Sequence, residues 1–176
     1  MKNGLFFGLL AGIIYMIWIV VGGNIFPNLV YGSISSIIIS SILAIIFMFL
    51  ACQKEEAALD SSLRFGEAFL VCLTTYAVLN IIYGIGFKLY VESSLTAMAN
   101  FVEITKASTA DIMTKMGAPE DEIYKSMEEL EESLPTIFSW KATFLTIFGG
   151  IVFPGALLAL IVAALFSKFS TKQPTV

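Results

Sequence analysis

Cys72, Tyr76, Asn80, Tyr83 and Phe87 follow one another at intervals of four, four, three and four residues, a spacing that lines side chains along one face of a helix. An amide flanked by two phenols can both donate and accept hydrogen bonds. Tyr76, Asn80 and Tyr83 are therefore the candidate ligand-binding face, a polar groove for a lipid headgroup or a small molecule. The competing reading gives the Asn80 amide to a neighbouring helix. An amide in hydrocarbon is costly until it is bonded, and an interhelical bond of this kind contributes about 0.6 kcal/mol.

Other side chains that could do chemistry are arranged without a site around them. Glu128, Glu129, Glu131 and Glu132 lack the glycine turn and alternating oxygens of a calcium loop, and they read as a solvated helix face. They also lack the cleft that paired carboxylates need for glycoside chemistry. The two cysteines, Cys52 and Cys72, form no CxxC, and the chain has no histidine, which removes the usual zinc ligand sets. Cys52 reads as a small apolar residue near a helix end. We expect no catalytic residues, no cofactor and no metal, and a protein that is not an enzyme.

The elements that must carry these residues are set by composition. Of 176 residues, 57% are hydrophobic and 14% charged, with a mean hydropathy of +0.87. Soluble domains hold about half apolar and a quarter charged residues. Four apolar runs, residues 4–21, 33–52, 67–90 and 141–166, each approach or exceed the roughly 20 helical residues that cross a hydrocarbon layer about 30 Å thick. The expected fold class is all-α: an integral membrane four-helix bundle, one domain over residues 1–176, with an external helical hairpin at 91–140 between the third and fourth spans. The first run exceeds the roughly 7–15 residues of a signal-peptide core, so it is expected to remain as a true span.

Lys2, Lys54, Arg64, Lys168 and Lys172 fall in the short segments on one side of this arrangement, whereas residues 22–32 carry no charge. The positive-inside rule then places both termini in the cytoplasm and the long insertion outside. Pro27, Asn24 and Asn28 make residues 22–32 an expected loop.

Small residues at four-residue spacing mark the packing faces: Gly4, Gly8 and Gly12 in span one, Ser36, Ser40 and Ala44 in span two, and Gly155, Ala159 and Ala163 in span four. Such ladders let helix backbones approach closely. They serve intramolecular packing, with a homodimer face as the competing use. Pro154 removes a backbone donor and is expected to bend span four. No ionisable group lies deep within a span; Glu67, Lys88 and Lys141 sit at the ends, where they can snorkel. Ion-coupled transport usually needs buried ionisable groups, so that class is disfavoured.

In the insertion, Leu95, Met98, Val102, Ile112 and Met116 offer an apolar side, and Gly117 a helix stop. Pro119 should open a second helix at its first position, and Pro135 should end it. Ile123, Met127, Leu130 and Leu134 form a stripe at intervals of four, three and four, the candidate partner-binding surface.

The glycine ladder of span one, the run RFGEAF over Arg64 to Phe69 leading into span three, KMGAPEDEIYKSMEELEE over Lys115 to Glu132, and LIVAALFSK over Leu160 to Lys168 make the chain similar, over nearly its whole length, to a bacterial inner-membrane family known as domain of unknown function 4199. The resemblance implies four spans, an inner-membrane location and a setting near envelope or glycan-lipid enzymes; it supplies no activity and no functional residues. The leading expectation is a non-enzymatic accessory or scaffold subunit of a bacterial envelope membrane complex, whose spans dock on a larger membrane protein and whose acidic hairpin, with the Ile123 stripe, contacts an external partner. The alternative is a lipid or small-molecule binding or transport protein using the Tyr76, Asn80 and Tyr83 face. Membrane lipid is a partner in both. Nucleic acid is not expected, since the net charge is −4 and no basic patch exists.

Overall fold

The structure, a computed structural model, describes residues 1–31, 33–59 and 62–169. The described residues are almost wholly helical. Helix α1, Lys2–Ile25, α3, Ser33–Leu59, α4, Phe65–Ser93, and α7, Trp140–Lys168, include the four stretches long and apolar enough to cross a membrane. Between α1 and α3 lies the short α2, Pro27–Tyr31, and between α4 and α7 come α5, Leu95–Lys115, and α6, Glu120–Ile137. Gly32, Lys172 of the expected cytoplasmic tail, and the side chain of Ser36 lie outside the described residues.

Helix α4 is the axis of the bundle, packing against α1, α3 and α7. The close approach of α1 follows from its glycines. A Cβ on Gly4 would lie 2.9 Å from the Val71 carbonyl oxygen, one on Gly8 2.6 Å from that of Thr75, and one on Gly12 2.8 Å from the Ile82 Cβ. On the opposite flank, Ala159 and Ala163 of α7 are completely buried among Ala44, Met48 and Ala51 of α3 and Ala68 and Cys72 of α4. Where side chains shrink to hydrogen or methyl, dispersion contacts between backbones accumulate, and these drive association where water cannot.

The α3–α4 contact places the sulfurs of Cys52 and Cys72 3.4 Å apart, both completely buried. A water-soluble maleimide should therefore label neither thiol in the folded protein and both after denaturation in SDS. Labelling of either in the native state would contradict this helix register.

Several helix ends differ from expectation. The described part of this stretch, residues 22–31, is not an open loop: α1 continues to Ile25 through a π turn at Trp18–Gly22, and Asn24 donates to the Val20 carbonyl at 2.6 Å and to the Tyr90 hydroxyl at 3.2 Å. Among the described residues of this stretch the helix breaks at Phe26, and Pro27 opens α2, a first-turn position where its missing N–H is harmless. Pro119 caps α6 in an extended conformation instead of starting it, so its carbonyl accepts from Glu122 and Ile123. Pro135 does not end α6, which runs to Ile137. Pro154 sits in a π turn, Ile151–Gly155, within an otherwise continuous α7; a wider turn relieves the clash a proline ring makes in an α-helix.

The hairpin is fastened by local signals. Ser94 and Ser139 cap α5 and α7, their hydroxyls accepting from Ala97 and Ala142 at 3.2 Å. Gly117, at φ +79°, ends α5; its N–H reaches the Thr114 carbonyl and that of Ala118 the Met113 carbonyl, the paired bonds of a left-handed helix stop. The apolar side expected for α5 is used only in part: Met98 and Val102 are half-buried. Leu95, Ile112 and Met116 are exposed, Leu95 at 92%, whereas Ala97 is buried and Phe101 and Ile104 pack on Tyr15, Ile19 and Val30. Aromatic rings set this choice. Tyr15, Tyr83, Phe87, Phe101 and Phe138 form a chain with successive centroids 5.0, 5.7, 5.5 and 5.4 Å apart, which docks the hairpin onto the bundle.

Candidate functional site

Tyr76, Asn80 and Tyr83 line an inner cavity, and Asn80 and Tyr83 also line an outer one. The inner one, about 90 Å³, lies between α1, α3 and α4 and is lined by Tyr15, Ser40, Ser41, Tyr76, Leu79, Asn80 and Tyr83. The outer one, about 260 Å³, lies between α4, α7 and the base of the hairpin; Asn80, Tyr83, Gly84, Phe87 and Lys88 meet Phe101, Phe138, Thr143, Thr146 and Ile147 there. Asn80 and Tyr83 belong to both walls, so the polar face of α4 runs from the middle of the bundle to the foot of the hairpin.

Glycine makes the crossing between α4 and α7 possible. Asn80 donates its amide to the Ile147 carbonyl at 3.2 Å, and a Cβ on Gly150 would lie 2.5 Å from that amide nitrogen. Gly155 lies directly under the Tyr76 ring, with no room for a side chain. The amide thus bonds a neighbouring helix and also lines both cavities. Its carbonyl oxygen faces no donor among the described residues. A carbonyl oxygen and phenols around a small chamber can hold a polar group that has entered hydrocarbon.

Lys88 is the residue that sequence reasoning misplaced. It was expected at a span end, snorkelling; it is 3% exposed. Its ammonium donates to the Glu92 carboxylate and to the Phe138 carbonyl, and it stands 4.8 Å from the centroid of the Trp140 ring, a cation–π contact. The hairpin closes over the end of α4 and removes the water toward which the side chain would have reached. The i,i+4 pair Lys88 and Glu92 was legible. The carbonyl 50 residues away was not, because no local pattern announces it.

Residues 2–168 match the family described as Protein of unknown function (DUF4199). The chain belongs to this family. No curated protein and no solved structure matches it. In this DUF4199 protein the stripe Ile123, Met127, Leu130 and Leu134 is half-buried throughout, and Lys106 of α5 pairs with Glu131 of α6; a partner would meet only part of the stripe. Glu128, Glu129, Glu131 and Glu132 are exposed, and among the described residues no three acidic, cysteine or histidine side chains converge to hold a metal.

Proposed function

We propose that this DUF4199 protein is a non-enzymatic, multi-pass protein of a bacterial inner membrane that binds an amphiphile in the crevice between α4, α7 and the hairpin. The observation that carries the reading is the pair of neighbouring cavities that share Asn80 and Tyr83 as wall residues, the outer one mostly apolar and lined also by Lys88, the inner one lined largely by hydroxyl and amide side chains. Amphiphile sites combine apolar lining with a few placed polar groups in this way. With the hairpin outside and both termini in the cytoplasm, as the basic residues suggest, the mouth opens to the outer leaflet. A reporter fused after Val176 should then be active in the cytoplasm; external activity would overturn this orientation.

Asn80→Leu separates binding from folding. It removes one interhelical bond, about 0.6 kcal/mol, so the fold should persist, while the amount of lipid or metabolite retained in nanodiscs by native mass spectrometry should fall about five- to tenfold, as loss of one ligand hydrogen bond predicts. Unchanged retention would end the binding reading.

The exposed acidic face of α6 favours a second reading, an accessory subunit that docks an external partner. Charged substitutions at Ile123, Met127 and Leu130 should abolish capture of a stoichiometric partner from native membranes. Capture that survives them would remove this reading.

A further inference from the structure

The ion pair beside the crevice points to a headgroup. Lys88 lines the outer cavity and is almost wholly buried, whereas Glu92, its partner one turn further along α4, is 43% exposed. Because α4 ends at Ser93, Glu92 belongs to its last turn and Lys88 lies about 6 Å deeper along the axis. The cavity wall thus carries the Lys88 cation, and the Glu92 carboxylate bonded to it stands one turn further out and partly exposed, beside the lining residues.

We infer that the crevice is selective for a zwitterionic glycerophospholipid bearing a primary ammonium, its phosphate meeting Lys88 and its ammonium meeting Glu92. This rests on the amphiphile-binding reading and names its ligand class. In such a lipid the phosphate is joined to the glycerol, close to the acyl chains, and the ammonium stands at the outer end; the order of charges along the lipid is that of its complements along α4. An ammonium of Lys88 has three donors, and two are engaged, by Glu92 and by the Phe138 carbonyl. A phosphate oxygen entering the cavity that Lys88 lines would take the third. An exposed carboxylate has acceptor capacity beyond one lysine, and a primary ammonium can use it by hydrogen bonding where a quaternary one cannot. An anionic headgroup alone would satisfy Lys88 but set its own charge against Glu92. Below the charges, Phe87, Gly84 and Ile147 provide an apolar floor for the start of the acyl chains.

The test uses the full chain in nanodiscs of equimolar phosphatidylethanolamine, phosphatidylglycerol and phosphatidylcholine with identical acyl chains, with retained lipid counted by native mass spectrometry. Wild-type protein should retain phosphatidylethanolamine over each of the others by about fivefold or more, the scale of one charge-assisted hydrogen bond reduced by exposure of Glu92. E92Q should abolish that preference and move retention toward phosphatidylglycerol, since Lys88 then acts alone. Thr146→Trp, at an exposed position on the crevice wall, should displace all three lipids. If Thr146→Trp displaces them but wild-type shows no headgroup preference, or E92Q keeps the wild-type ratio, the headgroup assignment is overturned and the crevice stands. If Thr146→Trp displaces nothing, both fail.

Discussion

Gly8→Ala should destabilise the protein by about 1–3 kcal/mol, the usual scale of an overpacked contact. The added methyl would sit 2.6 Å from the Thr75 carbonyl oxygen and 2.8 Å from the Val78 Cβ, and the first of these is backbone that cannot rotate away. Helix α1 would have to retreat from α4, loosening the Gly4 and Gly12 contacts with it. The comparison that isolates the steric cause is Gly149→Ala in α7. Nothing lies within 4 Å of a Cβ there, and alanine is favoured over glycine in a helix by up to about 1 kcal/mol. Unfolding in mixed SDS micelles should therefore move in opposite directions for the two substitutions. Equal shifts would show that glycine in α1 matters only through propensity, and the close α1–α4 approach would be wrong.

Lys88→Met should release the hairpin while leaving the four spans assembled. The substitution keeps an apolar stem of similar length but leaves the Phe138 carbonyl without its donor and takes the cation from the Trp140 ring. A buried acceptor left unpaired costs about 1–3 kcal/mol. Glu92 adds little to that figure, because at 43% exposure it can return to water. The aromatic chain through Phe87, Phe101 and Phe138 still holds α5 in place, so the hairpin should open more often without detaching. Amide exchange in α5 and α6 should rise about tenfold or more, with exchange in α4 around Val71 to Leu79 unchanged. Protection in α5 equal to wild type would mean that the rings alone hold the hairpin and that Lys88 has no part in fastening it.

These two residues also show where sequence reasoning stopped. Gly4, Gly8 and Gly12 were legible as a packing face from spacing alone, but not which helix they meet; a small-residue ladder is the same signal for a neighbour in the chain and for a second copy. The helix stop at Gly117 was legible because positive φ is a local demand that glycine meets most easily. Prolines misled at three places. Pro27, Pro119 and Pro135 constrain one φ angle and remove one donor each, and an N-terminal turn, a cap or a last turn tolerates that as well as a loop does. The apolar side of α5 was read correctly at Met98 and Val102, which are half-buried, and misread at Leu95, Ile112 and Met116, which were weighted by hydrophobicity, whereas contact is decided by the rings of Phe101 and its neighbours. At the site, Tyr76, Asn80 and Tyr83 were found by periodicity, and Lys88 was missed because its burial is produced by a hairpin that begins after it in the chain.

By itself, the amino-acid sequence determined that four stretches are long and apolar enough to cross a membrane, that a helical hairpin separates the third from the fourth, and that one face of the third is polar. Each follows from composition or period within about 20 residues, since a segment in hydrocarbon must satisfy its own backbone and only a helix of that length does so. Tertiary structure alone decided that α4 is the axis, that Asn80 reaches the Ile147 carbonyl 67 residues away, and that the hairpin folds back over Lys88 to close a crevice. Those depend on which surfaces meet across the bundle. In lipid, where apolar surface gains nothing by leaving its solvent, that choice is made by close-fitting glycines, a few hydrogen bonds and stacked rings, whose partners are far apart in the chain.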